Sequence, residues 1–145
     1  MKRITLLLVA LLGCGLIGSV IAQEAKPYTE GVVTDVSFIR IKPGQFDNYM
    51  KFLDGPYKAE MEALKKAGIV TRYAVAQTQA RSPDDYNLVL TVSYPNMAAL
   101  DKTDQSEAIS AKVLGSNDEQ NKATMDRGAM RDVLGGRLVR ELVLK

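Results

Sequence analysis

Strand-like and helix-like segments alternate along this chain, and that alternation constrains its fold more than any other feature. Segments rich in β-branched residues read as strands, and segments with apolar residues three and four apart read as helices. The predicted strands are 32–42, 69–79, 86–94 and 137–145. The predicted helical segments are 45–68, 96–114 and 117–134.

This order is β-α-β-β-α-β with an extra helix before the last strand. It predicts an α+β, ferredoxin-like domain with an antiparallel sheet and both main helices on one face. Pro56 and Gly55 interrupt the first helix, yet its apolar stripe keeps its phase, so we expect one kinked helix or two nearly collinear pieces. We expect Asn117 to cap the last helix and Gly135-Gly136 to end it.

The first 22 residues are typical of a secretory signal peptide, with a basic start, an apolar core and cleavage after Ala22. Two alternatives are a retained membrane anchor and a lipoprotein lipidated at Cys14, because "LLGC" resembles a lipobox. Residues 23–31 are predicted to be a flexible lead-in, and 32–145 the folded domain. We therefore expect a periplasmic or secreted protein with no membrane contact after cleavage.

Charge argues against a nucleic-acid partner. Lys2 and Arg3 are two of the 19 basic residues, so their removal leaves 17 basic against 17 acidic side chains. A neutral domain lacks the positive excess that phosphate binding needs. The single cysteine, Cys14, also leaves with the signal, so the core alone must hold the exported domain together.

The predicted strands carry apolar residues on both faces. In the last strand, Leu138 and Leu142 lie on one face, while Val139 and Val143 lie on the other. Helices cover one face of the sheet, so the other needs a different cover. A second copy of the chain would supply it, which predicts a homodimer with sheets packed face to face. The alternative is a monomer with a mildly apolar exposed face.

Three segments carry a resemblance to a known family. They are "VSFIRIKPGQFDNYMKFL", "YNLVLTVSYPNMAALDK" and "LGGRLVRELVLK". The chain from about residue 32 resembles the dimeric α/β-barrel superfamily, which includes antibiotic-biosynthesis monooxygenase-like, NIPSNAP-like and stress-responsive barrel domains. The resemblance implies a homodimeric barrel, and it suggests an exported branch rather than any member of known activity.

The chain contains no histidine, no tryptophan and one cysteine. Ser-His-Asp and Cys-His nucleophiles and imidazole or thiolate zinc sites are therefore excluded. Haem-degrading and chlorite-dismutase-like members of this superfamily need a histidine, so the resemblance does not imply their activities for this chain. The acidic pairs at 84–85 and 118–119 are poor acid–base or metal pairs, because adjacent side chains point apart. We expect neither a cofactor nor a metal.

The remaining chemistry rests on tyrosine and arginine. Tyr49 and Tyr57 lie two turns apart on the first helix, Tyr73 lies on the second strand, and Arg40 lies on the first. These four residues are the candidate ligand-binding set, bordering an apolar cavity between sheet and helices. Alternatively the tyrosines are core residues whose hydroxyls reach the surface, and Arg40 pairs with Glu141 on a neighbouring strand.

Three functions fit this reading. The first is binding of a small apolar or aromatic molecule without catalysis. The second is a cofactor-independent monooxygenase or isomerase that uses a tyrosine or carboxylate as base. The third is a purely structural or interaction domain.

Overall fold

The computed structural model describes residues 26–145. The predicted signal peptide, its two alternatives and the start of the lead-in fall outside these described residues.

Four antiparallel strands form one sheet in the order β2-β3-β1-β4. The strands are β1 (Tyr28–Ile41), β2 (Arg72–Gln77), β3 (Leu88–Tyr94) and β4 (Arg131–Leu144). The helices are α1 (Phe46–Phe52), α2 (Lys58–Lys66), α3 (Thr103–Leu114) and α4 (Asn117–Met130). A π-helical turn (Leu53–Tyr57) joins α1 to α2, and a 3₁₀ turn (Met97–Asp101) precedes α3. The predicted α+β class, element order and antiparallel sheet are confirmed.

The two faces of the sheet are covered differently. Ile39, Leu88 and Leu90 point toward the helices and are buried in a core cluster with Tyr49 and Leu53. The opposite face, called here the open face, is formed by alternate residues of the same strands. Its apolar members are Val36, Phe38, Val89, Val139 and Val143.

The first helical region keeps one apolar stripe through Pro56, as the sequence predicts. The chain runs from α1 through the π-helical turn into α2 without leaving helical geometry. Proline lacks a backbone N–H and its ring displaces the preceding turn, and the wider π turn accommodates both effects. Leu53, Met61 and Leu64 therefore remain buried on the same side.

β1 begins earlier than predicted. Tyr28–Gly31, assigned by sequence to the flexible lead-in, are part of β1 and pair with the end of β4. β3 contacts β1 only from Val33 onward, so residues 28–32 and 141–144 form a two-stranded extension, the β1–β4 ribbon. The structure thus contains a projecting element that the sequence pattern did not indicate.

The predicted end of the last helix was wrong. α4 ends at Met130, and Gly135 and Gly136 lie inside β4, next to a bulge opposite Phe38 and Ile39. A Cβ on Gly136 would lie 2.8 Å from the carbonyl oxygen of Val36, so glycine permits the close approach of β4 to β1. Pairing along fourteen residues of β4 outweighs the local stop signal.

The N-cap of α4 also differs from the prediction. Ser116, not Asn117, caps the helix: its hydroxyl accepts from the Glu119 N–H while the Glu119 carboxylate accepts from the Ser116 N–H. This reciprocal capping box satisfies two backbone donors at the helix start. Glu119 is consequently held ionised, and these hydrogen bonds from Ser116 lower the pKa of its carboxyl.

Within residues 26–145, no helix has both the length and the apolar character that crossing a membrane requires.

Candidate functional site

The clearest concave site lies between two layers of helices. It is a pocket of about 380 Å³, called here the helix pocket, between the α1–π–α2 segment and helices α3 and α4. Its walls are Phe52, Pro56, Tyr57, Glu60, Val113, Leu114, Gln120, Ala123, Thr124 and Arg127. This volume falls in the range of small-molecule sites, and the mixture of apolar walls with a few polar groups is typical of them.

Tyr57 is the predicted site residue that lines the helix pocket. The π-helical turn ends at Tyr57 and directs its ring between the two core clusters. Its hydroxyl is buried and has no hydrogen-bond partner among the described residues. Burial, reinforced by the nearby Tyr49 and Glu60, raises the pKa of Tyr57 to about 12. The phenol is therefore protonated at neutral pH and acts as a hydrogen-bond donor.

Tyr49 lies deeper in the same region. Its side chain is fully buried in the core and stacks on Phe52, with ring centroids 6.0 Å apart. Its hydroxyl too has no partner in the described part of the chain. Burial raises the pKa of Tyr49, while the charges of Arg131 and Arg127 act in the opposite direction. The expected alternative of a core tyrosine applies here, except that the hydroxyl does not reach solvent.

Tyr73 contributes to the surface rather than to the pocket. Its ring meets Tyr57 edge-on at 6.1 Å, and its hydroxyl donates to Glu62 at 2.7 Å. That hydrogen bond, more than burial, raises the pKa of Tyr73. The hydroxyl is satisfied within the chain and needs no ligand.

Arg40 does not join the tyrosines. It lies opposite Asp132 on β4 and binds that carboxylate at 3.0 Å and Asp84 at 2.9 Å. Tyr49 packs on the other side of the sheet, so the predicted cavity bordered by all four residues does not exist. The expected pairing of Arg40 with Glu141 was also wrong, since the Glu141 side chain lies against Gly31. The register between β1 and β4 decides this, because Glu141 lies next to Gly31, at the opposite end of β1 from Arg40.

Two arginines that the sequence did not single out complete the site. Arg127 lies on the pocket wall, with its guanidinium carbon 5.3 Å from the Phe52 ring centroid, and its Nε is buried without a partner in residues 26–145. Arg131, at the start of β4, lies 5.4 Å from the Tyr49 ring centroid. Burial and the charge of Arg131 both lower the pKa of Arg127. Arg127 and Arg131 are four residues apart in the sequence, but nothing in the sequence marked this pair as functional.

Tyr57 supplies the site with a hydrogen-bond donor rather than a base. With its pKa near 12, Tyr57 holds its proton at neutral pH and is a poor general base. Among the described residues, no three histidine, cysteine, aspartate or glutamate side chains cluster closely enough to hold a metal ion. The arrangement suits recognition of a molecule that carries acceptor oxygens.

Comparisons with known proteins give a fold and no family. No protein-family model matches the chain, and the search of curated proteins likewise found no match. Among solved structures, the chain is similar to HapK from Hahella chejuensis, with 18% identity and a TM-score of 0.51. The similarity covers 75% of this chain and 91% of HapK.

Two further similar structures are described as dimeric ferredoxin-like proteins from an uncultured marine organism. One has 10% identity and a TM-score of 0.51, covering 81% of this chain and 98% of the other. The second has 9% identity and a TM-score of 0.50, covering 81% and 90%. This chain has a ferredoxin-like fold. At these identities the likeness extends to the fold alone.

Proposed function

We propose that this protein binds a small aromatic or other apolar molecule in the helix pocket. The observation that carries the proposal is the pairing of apolar walls with two polar side chains, Tyr57 and Arg127, whose buried Oη and Nε atoms have no partner in the described chain. An unpaired buried donor costs about 1–3 kcal/mol, which an acceptor oxygen on a ligand would recover.

The pocket is also open enough for a flat molecule. Phe52 and Pro56 form one apolar side, and Val113 and Leu114 form the other. An aromatic ring between these side chains would bury apolar surface, which contributes about 25 cal/mol per Å². Recognition without catalysis is the function that these groups support best.

A thermal-shift screen of residues 23–145 against quinones, phenolics and fatty acids tests this proposal. A ligand present at 100 times its Kd should stabilise the protein by about 2.7 kcal/mol. The blocking variant Ala123→Leu fills the pocket wall and should abolish the shift. Ala129→Leu is the matched control, because Ala129 is exposed on α4 and is not among the residues lining the helix pocket. No shift with any compound, or an equal shift in Ala123→Leu, would contradict the proposal.

We further propose that the protein acts as a homodimer that buries the open face. The apolar residues of β4 on that face support this assembly, because Val139 and Val143 are 48% and 47% exposed. β4 also leaves one edge unpaired within the described chain, and long apolar edges favour pairing with another chain. The two marine structures with this fold are described as dimeric. A monomer in sedimentation velocity at micromolar concentration would contradict this assembly.

We propose export to the periplasm or the medium, based on the basic and apolar pattern of residues 1–22. Intact-mass measurement of the protein purified from the cell envelope and medium tests this directly. A mature chain that begins at Gln23 is the expected result. A lipid attached to Cys14, or an uncleaved chain, would contradict cleavage after Ala22.

A further inference from the structure

Arg127 separates the helix pocket from a second concavity. This second site, called here the arginine groove, has a volume of about 410 Å³ and lies where α4 passes into β4. It is lined by Thr124, Arg127, Gly128, Arg131, Asp132 and Val133. The two sites share Thr124 and Arg127, so a ligand of modest length could occupy both.

The arginine groove carries positive charge that the described chain does not neutralise. Neither Arg127 nor Arg131 forms an ion pair within residues 26–145. Asp132 also borders the groove, but it is already bound by Arg40 at 3.0 Å and Lys42 at 3.6 Å. Glu60, the acidic residue on the helix-pocket wall, accepts from Ser110. Two neighbouring guanidinium groups repel each other, so an anion between them would be stabilised.

Each arginine is held in place by contacts with uncharged groups, so its charge is not paired with an anion in the described chain. Arg127 packs over the Phe52 ring, and its terminal nitrogen donates to Thr124 at 2.7 Å. Arg131 packs over Tyr49. Stacking on a ring fixes the plane of a guanidinium while its N–H edge remains directed outward. A planar guanidinium edge matches a carboxylate with two parallel hydrogen bonds.

From this placement, and resting on the proposed ligand binding, we infer that the ligand is an aromatic carboxylate, with its ring in the helix pocket and its carboxylate between Arg127 and Arg131. The protonated hydroxyl of Tyr57 provides an additional donor on the helix-pocket side. The pair of arginines then determines the class of ligand, while the apolar walls determine its shape.

Isothermal titration calorimetry with a matched pair of probes tests this inference. The probes are 2-naphthoate and 2-naphthamide, which share the ring and differ in charge. Charge-assisted hydrogen bonds predict that the carboxylate binds about tenfold or more tightly than the amide. Arg131→Gln should remove that preference by weakening 2-naphthoate alone. Arg127→Lys, which retains the charge, should weaken it less than Arg127→Gln.

Arg81→Gln is the control, because it makes the same charge change at an exposed residue between β2 and β3 that lines neither the helix pocket nor the arginine groove. Equal binding of both probes, unaffected by Arg131→Gln, would overturn the inference while leaving ligand binding intact. If neither probe binds but neutral aromatic compounds stabilise the protein, the inference again fails and the proposed function stands. If neither probe binds and no compound in the screen stabilises the protein, the inference and the proposed function are both overturned.

Discussion

At the scale of single residues, some buried polar groups have no hydrogen-bond partner within the described chain. Tyr57 buries a hydroxyl without a partner, whereas Tyr73 directs its hydroxyl to Glu62 at 2.7 Å. The two tyrosines contact each other, yet one satisfies its polar atom within the chain and the other does not. An unsatisfied buried group lowers stability, so the Tyr57 hydroxyl is the group that the proposed ligand would satisfy.

Tyr57→Phe should therefore leave the free energy of unfolding unchanged or raise it at neutral pH, because it removes an unpaired hydroxyl and keeps the ring. The same change should weaken ligand binding in the helix pocket. Urea unfolding at pH 7 measures the first effect and calorimetry the second. Tyr73→Phe is the control and should cost at most about 1 kcal/mol, since its hydrogen bond is exposed. A large loss of stability in Tyr57→Phe would show that its hydroxyl is paired.

The raised pKa of Tyr57 also predicts how stability depends on alkaline pH. Its folded pKa of about 12 lies above the ordinary value of 10.0, so the unfolded chain releases this proton first. The stabilisation is complete below pH 10 and is lost as pH rises toward 12. Two pKa units correspond to at most about 3 kcal/mol, reduced by any solvent access. Urea unfolding from pH 9 to pH 12 should show a shallower decline in Tyr57→Phe than in the wild type.

At the scale of elements, two glycines illustrate how position determines the role of a residue. Gly128 lies in α4, and a Cβ added there would meet no atom within 4 Å beyond its chain neighbours and its own helix. Gly136 lies in β4, where an added Cβ would come within 2.8 Å of the Val36 carbonyl oxygen. One glycine is a replaceable weak helix former, and the other permits two strands to approach.

Gly128→Ala should accordingly stabilise the protein by about 0.5–1 kcal/mol, because alanine loses less backbone entropy in a helix. Gly136→Ala should destabilise it by more than 1 kcal/mol, because β4 must shift away from β1. Urea unfolding of both variants, with the denaturant slope checked for constancy, provides the comparison. Equal effects of the two substitutions would contradict this account of the β4 bulge.

At the scale of the whole molecule, apolar surface is distributed unevenly. The helix-facing residues Ile39 of β1 and Leu88 of β3 are buried, whereas every residue of β4 after Asp132 is exposed. A monomer with these exposed leucines and valines on one long edge would be prone to association. A second copy covering the open face and the β1–β4 ribbon would bury them in a closed assembly.

Val143→Asp should convert the proposed dimer to monomer or aggregate. Val143 is 47% exposed on the open face of the ribbon, so the substitution is tolerated in the monomer but places an unpaired charge in the interface. Burying such a charge costs several kcal/mol. Val139→Asp should act in the same way. Met125→Asp is the control, because Met125 is 77% exposed on α4 and should leave the sedimentation coefficient unchanged.

The order of the elements and the faces of their residues could be predicted from sequence. Side-chain direction in a strand alternates and helical positions repeat every three to four residues, so these properties are local. Ile39 and Ile41 indeed face the helices, while Val36 and Phe38 lie on the open face. The helical stripe through Pro56 was likewise readable, because a π turn restores the phase of the helix.

Only the tertiary structure decided where strands end and which side chains meet. Pairing with β1 extends β4 back to Arg131 through two glycines that locally favour a stop, and the register of that pairing sets Arg40 opposite Asp132 rather than Glu141. The helix pocket depends on how α3 and α4 pack against the α1–π–α2 segment. Such contacts join residues far apart in the chain, and their energies outweigh local propensities of about 1 kcal/mol or less per residue.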